Sequence, residues 1–242
     1  MSTVLLKLAG PLQSWGAQSR FPRRDTRHEP TKSAVIGLVA AAQGRRRTDP
    51  IEDLLGLRFA VRIDQPGVLL RDFHTARNAK GESMPLSERF YLSDAVFVVG
   101  LEAERAVVDG IVDALSHPVF PLFLGRRSCV PSGKLVLTVA DDDLVTALRQ
   151  HPWEAARWFQ QSPRNRDKSE VELELIRDRG SNDPPELARE TVRDVPLSFS
   201  TERRQYGWRD VVHDDHAVVV NPYAVDRSDN PPTGIHDPMA LL

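Results

Sequence analysis

Cysteine is almost absent from this chain of 242 residues, which contains only Cys129. A single thiol excludes an internal disulfide and a zinc site built on several cysteines, and it is typical of proteins from a reducing compartment. Net charge is nearly absent as well, since 32 Lys and Arg stand against 34 Asp and Glu, a formal charge of -2. The composition as a whole therefore predicts no polyanion partner.

Long apolar runs are also lacking. The longest, residues 34–42, has nine residues, far fewer than the ~20 that a membrane-spanning helix needs. At the start of the chain, Lys7 interrupts the apolar stretch that a secretory signal keeps continuous, and no basic side chain precedes it. We therefore expect a cytoplasmic protein without a membrane partner.

The positive charge of the chain is concentrated at one end. Residues 1–50 hold nine Lys or Arg and three Asp or Glu, a sum of +6, so the remaining 192 residues sum to -8. Screening limits the attraction between charges to ~10 Å, so a polyanion site needs such a local cluster rather than a high total charge. A localised groove for a polyanion and a surface of scattered arginines are equal alternatives on this observation alone.

The first 140 residues alternate between strand and helix patterns. Strands are indicated by alternating or continuous β-branched runs, and helices by apolar residues at helical spacing. The expected order is strand 4–9, helix 34–42 with Thr31 as N-cap and Gly44 at its end, strand 59–64, strand 94–101, helix 107–115 and strand 134–140. This βαββαβ order predicts an α+β, ferredoxin-like (RRM-like) domain over residues 1–140, with two helices on one face of an antiparallel sheet and the other face open to a ligand.

Three further segments complete the expected organisation. An insertion at residues 71–93 is rich in polar, basic and aromatic side chains, and loops longer than ~12 residues are usually functional or disordered. Residues 141–220 are expected to form a β-containing extension packed on the core, with an acid-capped helix at 141–150, a strand at 171–175 and an exposed loop at 178–185. Residues 221–242 contain four prolines, which predicts a loosely ordered tail.

The densest chemical signal is a glycine turn with two arginines and a hydroxyl, at Gly125, Arg126, Arg127 and Ser128. Arginine forks match phosphate oxygens bidentately and stack on bases, and glycine lets a backbone approach closely. Taken alone, a solvated pair of charges at a turn is the simpler explanation.

Two other segments of the sequence carry groups that could bind an anion. The turn that opens the first helix offers free N–H groups together with Lys32 and Ser33, although plain capping by Thr31 explains it equally well. Arg203 and Arg204 precede a strand-like stretch at 208–213 and resemble a basic and aromatic contact strip. Surface solubilisation explains that strip nearly as well.

Catalytic and metal chemistry find less support. The residues 213–216 (HDDH) include four possible ligands, but neighbours in a strand point to opposite faces, so a polar turn is favoured over a metal site. His74, Tyr91 and either Lys32 or Lys80 are residue types of a metal-independent ribonuclease, where a base activates a ribose 2′-hydroxyl and a cation stabilises the phosphorane. For His74, a hydrogen-bonding or stacking role is the simpler interpretation. No motif predicts a cofactor or a metal.

Four motifs together resemble the CasD family of type I-E CRISPR Cascade subunits, within the repeat-associated mysterious protein superfamily. They are residues 8–16 (LAGPLQSWG), 30–38 (PTKSAVIGL), 71–75 (RDFHT) and 124–129 (LGRRSC). The resemblance covers residues 4 to 140 and resumes weakly around 196–212, whereas residues 141–190 and the tail do not match.

This resemblance implies a non-catalytic, RNA-binding subunit that binds and caps the 5′ handle of CRISPR RNA in antiviral defence. Its implied partners are the CasC backbone subunit and the large CasA subunit, and target DNA only through the complex. The insertion at 71–93 would be a β-hairpin thumb, on which Arg89 matches the base-wedging residue of the family. RNA processing in this subtype belongs to the separate CasE subunit, but a related family in another subtype cleaves with Tyr, Lys and His, so a metal-independent endoribonuclease for CRISPR repeat RNA is the alternative.

The residues expected to bind RNA come from all of these segments, with Trp15 supporting the loop beneath the groove. They are Trp15, Lys32, Ser33, Arg71, His74, Arg89, Tyr91, Arg126, Arg127, Ser128, Arg203 and Arg204.

Overall fold

A computed structural model describes residues 1–16, 23–187, 189–200, 202 and 204–225. The strands within these residues are β1 (Ser2–Ala9), β2 (Leu12–Gln13), β3 (Trp15–Gly16), β4 (Arg23–Arg24), β5 (Thr26–Arg27), β6 (Arg58–Gln65), β7 (Val68–His74), β8 (Ser87–Ser93), β9 (Val96–Ala103), β10 (Val136–Ala140), β11 (Glu170–Asp178), β12 (Glu190–Ser198) and β13 (Gln205–Val220). The helices are α1 (Lys32–Ala42), α2 (Glu52–Leu55), α3 (Arg105–Ser116), α4 (Leu144–Gln150) and α5 (Arg157–Gln160).

The fold is a mixed α and β arrangement around one large sheet. Seven strands lie in the order β10-β1-β9-β6-β11-β13-β12, and all neighbouring pairs are antiparallel. The first four strands in this order come from residues 1–140 and the last three from the extension. Because β11 pairs directly with β6, the extension continues the sheet.

One face of the sheet is covered by α1 and α3, and apolar side chains of both helices join the largest core cluster there. Helix α1 has the predicted N-cap, Thr31, and the predicted last residue, Ala42, but it begins two residues before the predicted run. The Thr31 hydroxyl accepts a hydrogen bond from the backbone N–H of Ala34, which satisfies one of the free donors of the first turn. Gly44 follows the helix with a φ of 79°, the left-handed conformation that favours glycine.

The opposite face of the sheet is covered by α4, so the expectation of a face open to a ligand is wrong. The apolar residues that meet there are Leu5, Ala60, Val98, Leu144, Ala147, Leu148 and Leu175. Gly100 of β9 makes room for the helix, since a Cβ at this position would lie 2.5 Å from Leu144 Cδ1. The predicted acid cap is confirmed, because the Asp143 carboxylate accepts from the N–H groups of Val145 and Thr146.

A buried arginine attaches α4 to the sheet. Arg62 of β6 is 0% exposed and forms a two-pronged ion pair with Asp64, at 2.8 and 2.9 Å. Its remaining donors reach the carbonyl oxygens of Leu148, His151 and Pro152 at 2.6 to 2.7 Å. These carbonyls lie at and just after the C-terminal end of α4, where helical carbonyls lack partners. We call this group the Arg62 cluster.

The C-terminal strands differ from the sequence prediction. Strand β12 was not predicted, and β13 is much longer than the expected strand at 208–213. The predicted polar turn at 213–216 is wrong, because these residues lie inside β13 beside a shift in its register with β11. Two of their side chains have close partners: the His213 ring lies 2.9 Å from a carboxylate oxygen of Glu174, and Asp214 forms an ion pair with Arg177 at 2.7 Å.

The last described residues pack on the extension. Asn221 is buried, and its side-chain amide donates to the carbonyl oxygens of Gln160 and Asn165. Of the predicted tail, residues 226–242 lie outside the described part of the chain. Among the described residues, no helix has both the length and the apolar character needed to cross a lipid bilayer.

Candidate nucleic-acid interface

Strands β7 and β8 form an antiparallel hairpin that branches from the sheet between β6 and β9. Their register runs from Val68 opposite Ser93 to His74 opposite Ser87. Gly67, with a φ of 74°, lets the chain turn into the hairpin, since a Cβ there would lie 2.6 Å from the carbonyl oxygen of Ser93. The insertion predicted at residues 71–93 is therefore part of a hairpin that begins three residues earlier.

The glycine turn at residues 125–128 is held against the segment that follows β2. The Ser14 N–H donates to the Leu124 carbonyl oxygen at 3.1 Å, and the Leu124 N–H donates to the Cys129 carbonyl oxygen at 2.7 Å. Gly125 has a φ of 90°, and a Cβ there would lie 1.7 Å from the Ser14 carbonyl oxygen. Only glycine permits this approach. Cys129 is buried beneath the turn, and this burial raises the pKa of its thiol.

This turn places Arg126 over the hairpin. The Arg126 guanidinium carbon lies 4.6 Å from the centroid of the buried Tyr91 ring on β8. Its Nη2 donates to the carbonyl oxygen of Arg24 at 2.8 Å. Its Nη1 is buried and has no hydrogen-bond partner among the described residues. One nitrogen of this positioned guanidinium is therefore unsatisfied within the described part of the chain.

Arg89 repeats this pattern on the hairpin itself. It lies two residues before Tyr91 on β8, so the two side chains share one face of the strand. The Arg89 Nε is also buried without a partner among the described residues. Arg24 of β4 lies in register with Arg89 across the parallel β4–β8 pair.

Three arginines, Arg24, Arg89 and Arg126, thus meet around the hairpin and the glycine turn, and the exposed Arg127 follows Arg126 on that turn. We call these four residues the arginine surface. None of them lies within 4.0 Å of a carboxylate in the part of the chain that the structure describes. Because a phosphate oxygen accepts the charge-assisted hydrogen bonds that arginine donates, this surface is chemically suited to a polyanion.

The start of α1 does not belong to this surface. The buried Lys32 ammonium lies 2.8 Å from an oxygen of Asp178, and the Lys32 N–H donates to Asp194 at 2.8 Å. The Ser33 hydroxyl lies 3.4 Å from that of Thr31. A carboxylate of β12 thus occupies the place where a phosphate was expected, so the structure corrects the prediction for Lys32, which joins α1 to the extension.

Trp15 is likewise buried, with 1% of its surface exposed. Its ring packs edge-on against Phe97, with 6.3 Å between the ring centroids, and its backbone N–H donates to the Thr26 hydroxyl at 2.8 Å. Trp15 therefore supports the loop from beneath and does not reach a ligand at the surface.

The remaining predicted residues are dispersed. On the hairpin, Arg71 lies over Phe73 and pairs with Glu88, and the His74 ring lies 3.7 Å from Asp72. Ser128 is exposed beside Arg127. Arg204 is exposed just before β13, on the extension, and Arg203 lies outside the described residues.

Arg23 and Arg24 belong to the basic N-terminal cluster of the sequence, but no motif there indicates that either of them belongs to the site. The structure pairs their short strand with β8, and the Arg23 guanidinium lies 5.0 Å from the centroid of Phe90. The signal in the sequence is the density of arginines before α1. Nothing local indicates that this segment pairs with a strand more than 60 residues away.

The comparisons with known proteins assign the chain to a family. Residues 3–212 match the family described as CRISPR-associated protein (Cas_Cas5). The chain belongs to the Cas5 family. The resemblance found in the sequence motifs is confirmed.

A curated relative of this Cas5 chain is the "CRISPR system Cascade subunit CasD" of Escherichia coli (strain K12), which is 34% identical over 149 residues. That match covers 53% of this chain and 66% of the relative, slightly less than two thirds of its length. A chain of a solved "CRISPR RNA-guided surveillance complex" is 36% identical with a TM-score of 0.75, and 93% of each chain is covered. A second solved structure, "Crystal structure of Cas protein", is 36% identical with a TM-score of 0.66, covering 93% of this chain and 98% of that one.

Two of the residue types of a ribonuclease are buried inside this Cas5 chain. Tyr91 is buried beneath Arg126, and Lys32 is buried against Asp178. His74 and Lys80 are exposed on the hairpin. A general base and a cation that act on one phosphate must both lie within hydrogen-bond reach of it, and these buried partners are already engaged inside the protein.

Proposed function

We propose that this protein is a non-catalytic subunit of a type I-E Cascade surveillance complex, where it binds and caps the 5′ handle of the CRISPR RNA in antiviral defence. In this proposal it works in the cytoplasm, next to a CasC backbone subunit and the large CasA subunit, and it meets target DNA through the complex. Membership of the Cas5 family and the likeness to a chain of a surveillance complex support this assignment.

We also propose that residues 1–140 form a ferredoxin-like domain with a thumb. The order β10-β1-β9-β6, with α1 and α3 on one face, fits the ferredoxin-like arrangement. The β7–β8 hairpin would then be the thumb that the family uses on RNA. Since α4 covers the second face of the sheet, RNA would be held at the hairpin and the glycine turn rather than across the sheet.

One observation carries the proposal. The arginine surface holds two guanidinium groups, Arg89 and Arg126, each with one buried nitrogen that has no hydrogen-bond partner in the described chain. Leaving a buried donor unsatisfied costs about 1–3 kcal/mol, and in the proposed complex a movement of these side chains would let phosphate oxygens bind the donors and remove that cost. The stacking of Arg126 on Tyr91 and the backbone approach at Gly125 hold the donor in place before RNA arrives.

The test compares two arginine doublets in the assembled complex. Arg126→Ala with Arg127→Ala should weaken binding of handle-bearing CRISPR RNA. It should also lower the salt dependence of affinity, by about 0.7 in log–log slope for each phosphate of the single strand that the variant no longer neutralises. The matched control is Arg46→Ala with Arg47→Ala, an exposed doublet after α1 that forms no ion pair with a described residue. Fluorescence anisotropy across a salt series measures both the affinity and its salt dependence. Equal affinities for the two double variants would contradict the proposal.

The non-catalytic part has its own test. The isolated protein, incubated with labelled repeat RNA in EDTA, is expected to leave the RNA intact. Cleavage that disappears in His74→Ala would instead establish the endoribonuclease.

A further inference from the structure

A second group of cations lies on the extension, at the start of α5 and in the turn that follows this helix. Its members are Arg157, Arg164, Arg166 and Lys168, and all four are exposed. Arg157, Arg164 and Lys168 form no ion pair with a described residue, and Arg166 has only a 4.0 Å approach to Asp167. The handle-binding proposal makes no use of these cations.

Two exposed aromatic rings lie among these cations. Trp158 is 61% exposed and Tyr223 is 38% exposed. The guanidinium of Arg157 lies 4.9 Å from the centroid of Tyr223, so the two chain segments meet at the surface. Trp158 forms a T-shaped contact with Phe159, 5.8 Å between centroids, and more than half of the Trp158 surface remains exposed. We call these six residues, Arg157, Trp158, Arg164, Arg166, Lys168 and Tyr223, the basic–aromatic patch.

The patch rests on a rigid support. Asn165 is buried beneath it and donates to the Phe159 carbonyl oxygen at 2.9 Å. Asn221 joins the final segment to the same turn through the carbonyl oxygens of Gln160 and Asn165, and the Val225 N–H donates to the Arg166 carbonyl oxygen at 2.7 Å. Exposed side chains on a hydrogen-bonded turn are positioned at a lower entropic cost than those on a free loop.

The neighbouring acids leave the patch positive. Asp167 lies within it, and Glu170 follows at the start of β11. Val171 packs toward Phe159 in the cluster under the patch. Because side chains alternate along a strand, Glu170 points to the opposite face of β11.

We propose that the basic–aromatic patch is a second binding surface of this protein, for single-stranded nucleic acid. Unpaired cations attract a phosphate backbone without regard to sequence. Exposed aromatic rings stack on bases, and they do so only where the bases are not already paired. A protein partner with an acidic surface would satisfy the cations but would make no use of Trp158 as a stacking platform.

The experiment separates this surface from the handle site. The full-length protein carrying Arg126→Ala and Arg127→Ala is titrated with fluorescent oligodeoxythymidylate and oligouridylate of about 20 nucleotides. Adding Arg164→Glu and Lys168→Glu is expected to weaken binding at least about tenfold at low salt and to lower the salt slope. Trp158→Ala should weaken it about fivefold or more, and Trp158→Phe should retain most of the affinity because a phenyl ring still stacks.

The control is Arg46→Glu with Arg47→Glu, which makes the same charge change on the turn after α1 and should leave affinity unchanged. The relative affinities of the two oligonucleotides then identify DNA or RNA as the strand. The proposal is overturned if the control variant loses as much affinity as the patch variant. It is also overturned if the protein with an unaltered patch binds neither oligonucleotide. The proposal would also be overturned if polyglutamate competed for the patch as well as the oligonucleotides do and Trp158→Ala left the affinity unchanged. That result would indicate an acidic protein as the partner. Because Arg126 and Arg127 are replaced in every variant, the arginine surface is the same throughout, and any difference between the variants comes from the basic–aromatic patch or from the control doublet.

Discussion

Arginine has opposite roles in the Arg62 cluster and on the arginine surface. Arg62 is fully buried, and its guanidinium is paired with Asp64 and three backbone carbonyls. On the arginine surface, Arg89 and Arg126 each keep a donor without a partner among the described residues, and Arg127 is exposed. One group completes its hydrogen bonds inside the fold, and the other leaves them incomplete at a surface.

This difference separates stability from binding. A buried guanidinium whose partners are all protein groups contributes only while the fold is intact, and removing it leaves an uncompensated buried carboxylate. A guanidinium with a spare donor adds little to folding, because its best partner is missing. It offers a phosphate a preformed binding group instead.

The largest expected effect is therefore Arg62→Ala. Breaking a buried ion pair by removing one partner costs about 3–5 kcal/mol, and the carbonyls after α4 also lose their donor. The stability of Arg62→Lys should lie between that of Arg62→Ala and that of the native protein, since an ammonium keeps the charge but not the forked geometry of the guanidinium donors. Urea unfolding of the full chain measures the free energy of unfolding.

The control for this prediction is Arg105→Ala. Arg105 also makes two ion pairs, to Asp109 at 2.8 Å and Asp141 at 3.1 Å, but its side chain is more than half exposed. Exposed pairs contribute about 0–1 kcal/mol. If Arg62→Ala were no more destabilising than Arg105→Ala, the contrast between the two kinds of arginine would fail.

Local features of the fold were predictable from sequence because their causes are local. Thr31 and Asp143 cap the helices that follow them, as their side chains and positions indicate. The alternation through β6 and the apolar run of β9 predict strands that the structure contains. The glycine turn is also identifiable as a close backbone approach.

Pairing between distant segments was not predictable, and it decides which cations are free. Arg62 has the sequence pattern of a solvent-facing residue in an alternating strand, yet α4 covers it. Lys32 has the pattern of an anion ligand, yet its partner Asp178 lies 146 positions away. The sheet face expected to be open is closed by residues whose pattern predicts a helix but does not indicate its packing partner.

On the arginine surface, the backbone should matter as much as the charges. Gly125→Ala places a Cβ against the Ser14 carbonyl oxygen in a left-handed conformation, so the turn must move and carry Arg126 away from Tyr91. We expect a loss of about 2 kcal/mol or more in unfolding free energy together with weaker handle binding. Gly133→Ala is the matched control, since it has a φ of 82° but nothing within 4 Å of its Cβ.

The control variant should lose only about 1 kcal/mol, the cost of the left-handed backbone alone, and should bind the handle like the native protein. Urea unfolding and anisotropy together separate the two glycines. Equal losses of affinity in both variants would show that the close approach at Ser14 does not position the arginines.

The smallest effect belongs to a carboxylate at the rim of the Arg62 cluster, where burial is incomplete. Glu154 accepts a hydrogen bond from His151 at 3.1 Å and pairs with Lys7 at 2.8 Å, and these interactions lower the pKa of Glu154 from 4.5 to about 2. A carboxyl group whose pKa is lower in the folded state stabilises the protein above its unfolded pKa. That contribution is lost as the pH falls from about 4.5 toward about 2.

One pKa unit corresponds to about 1.4 kcal/mol, and solvent screening of the partly exposed Glu154 reduces its contribution to about 1–2 kcal/mol. Urea unfolding at several pH values should therefore show Glu154→Gln losing less stability than the native protein between pH 5 and 3. Glu174→Gln is the matched control, because Glu174 also pairs with a histidine, His213 at 2.9 Å, but at an exposed position. A pH profile of Glu154→Gln that parallels that of Glu174→Gln would show that proximity to the buried cluster adds nothing to an ion pair at its rim.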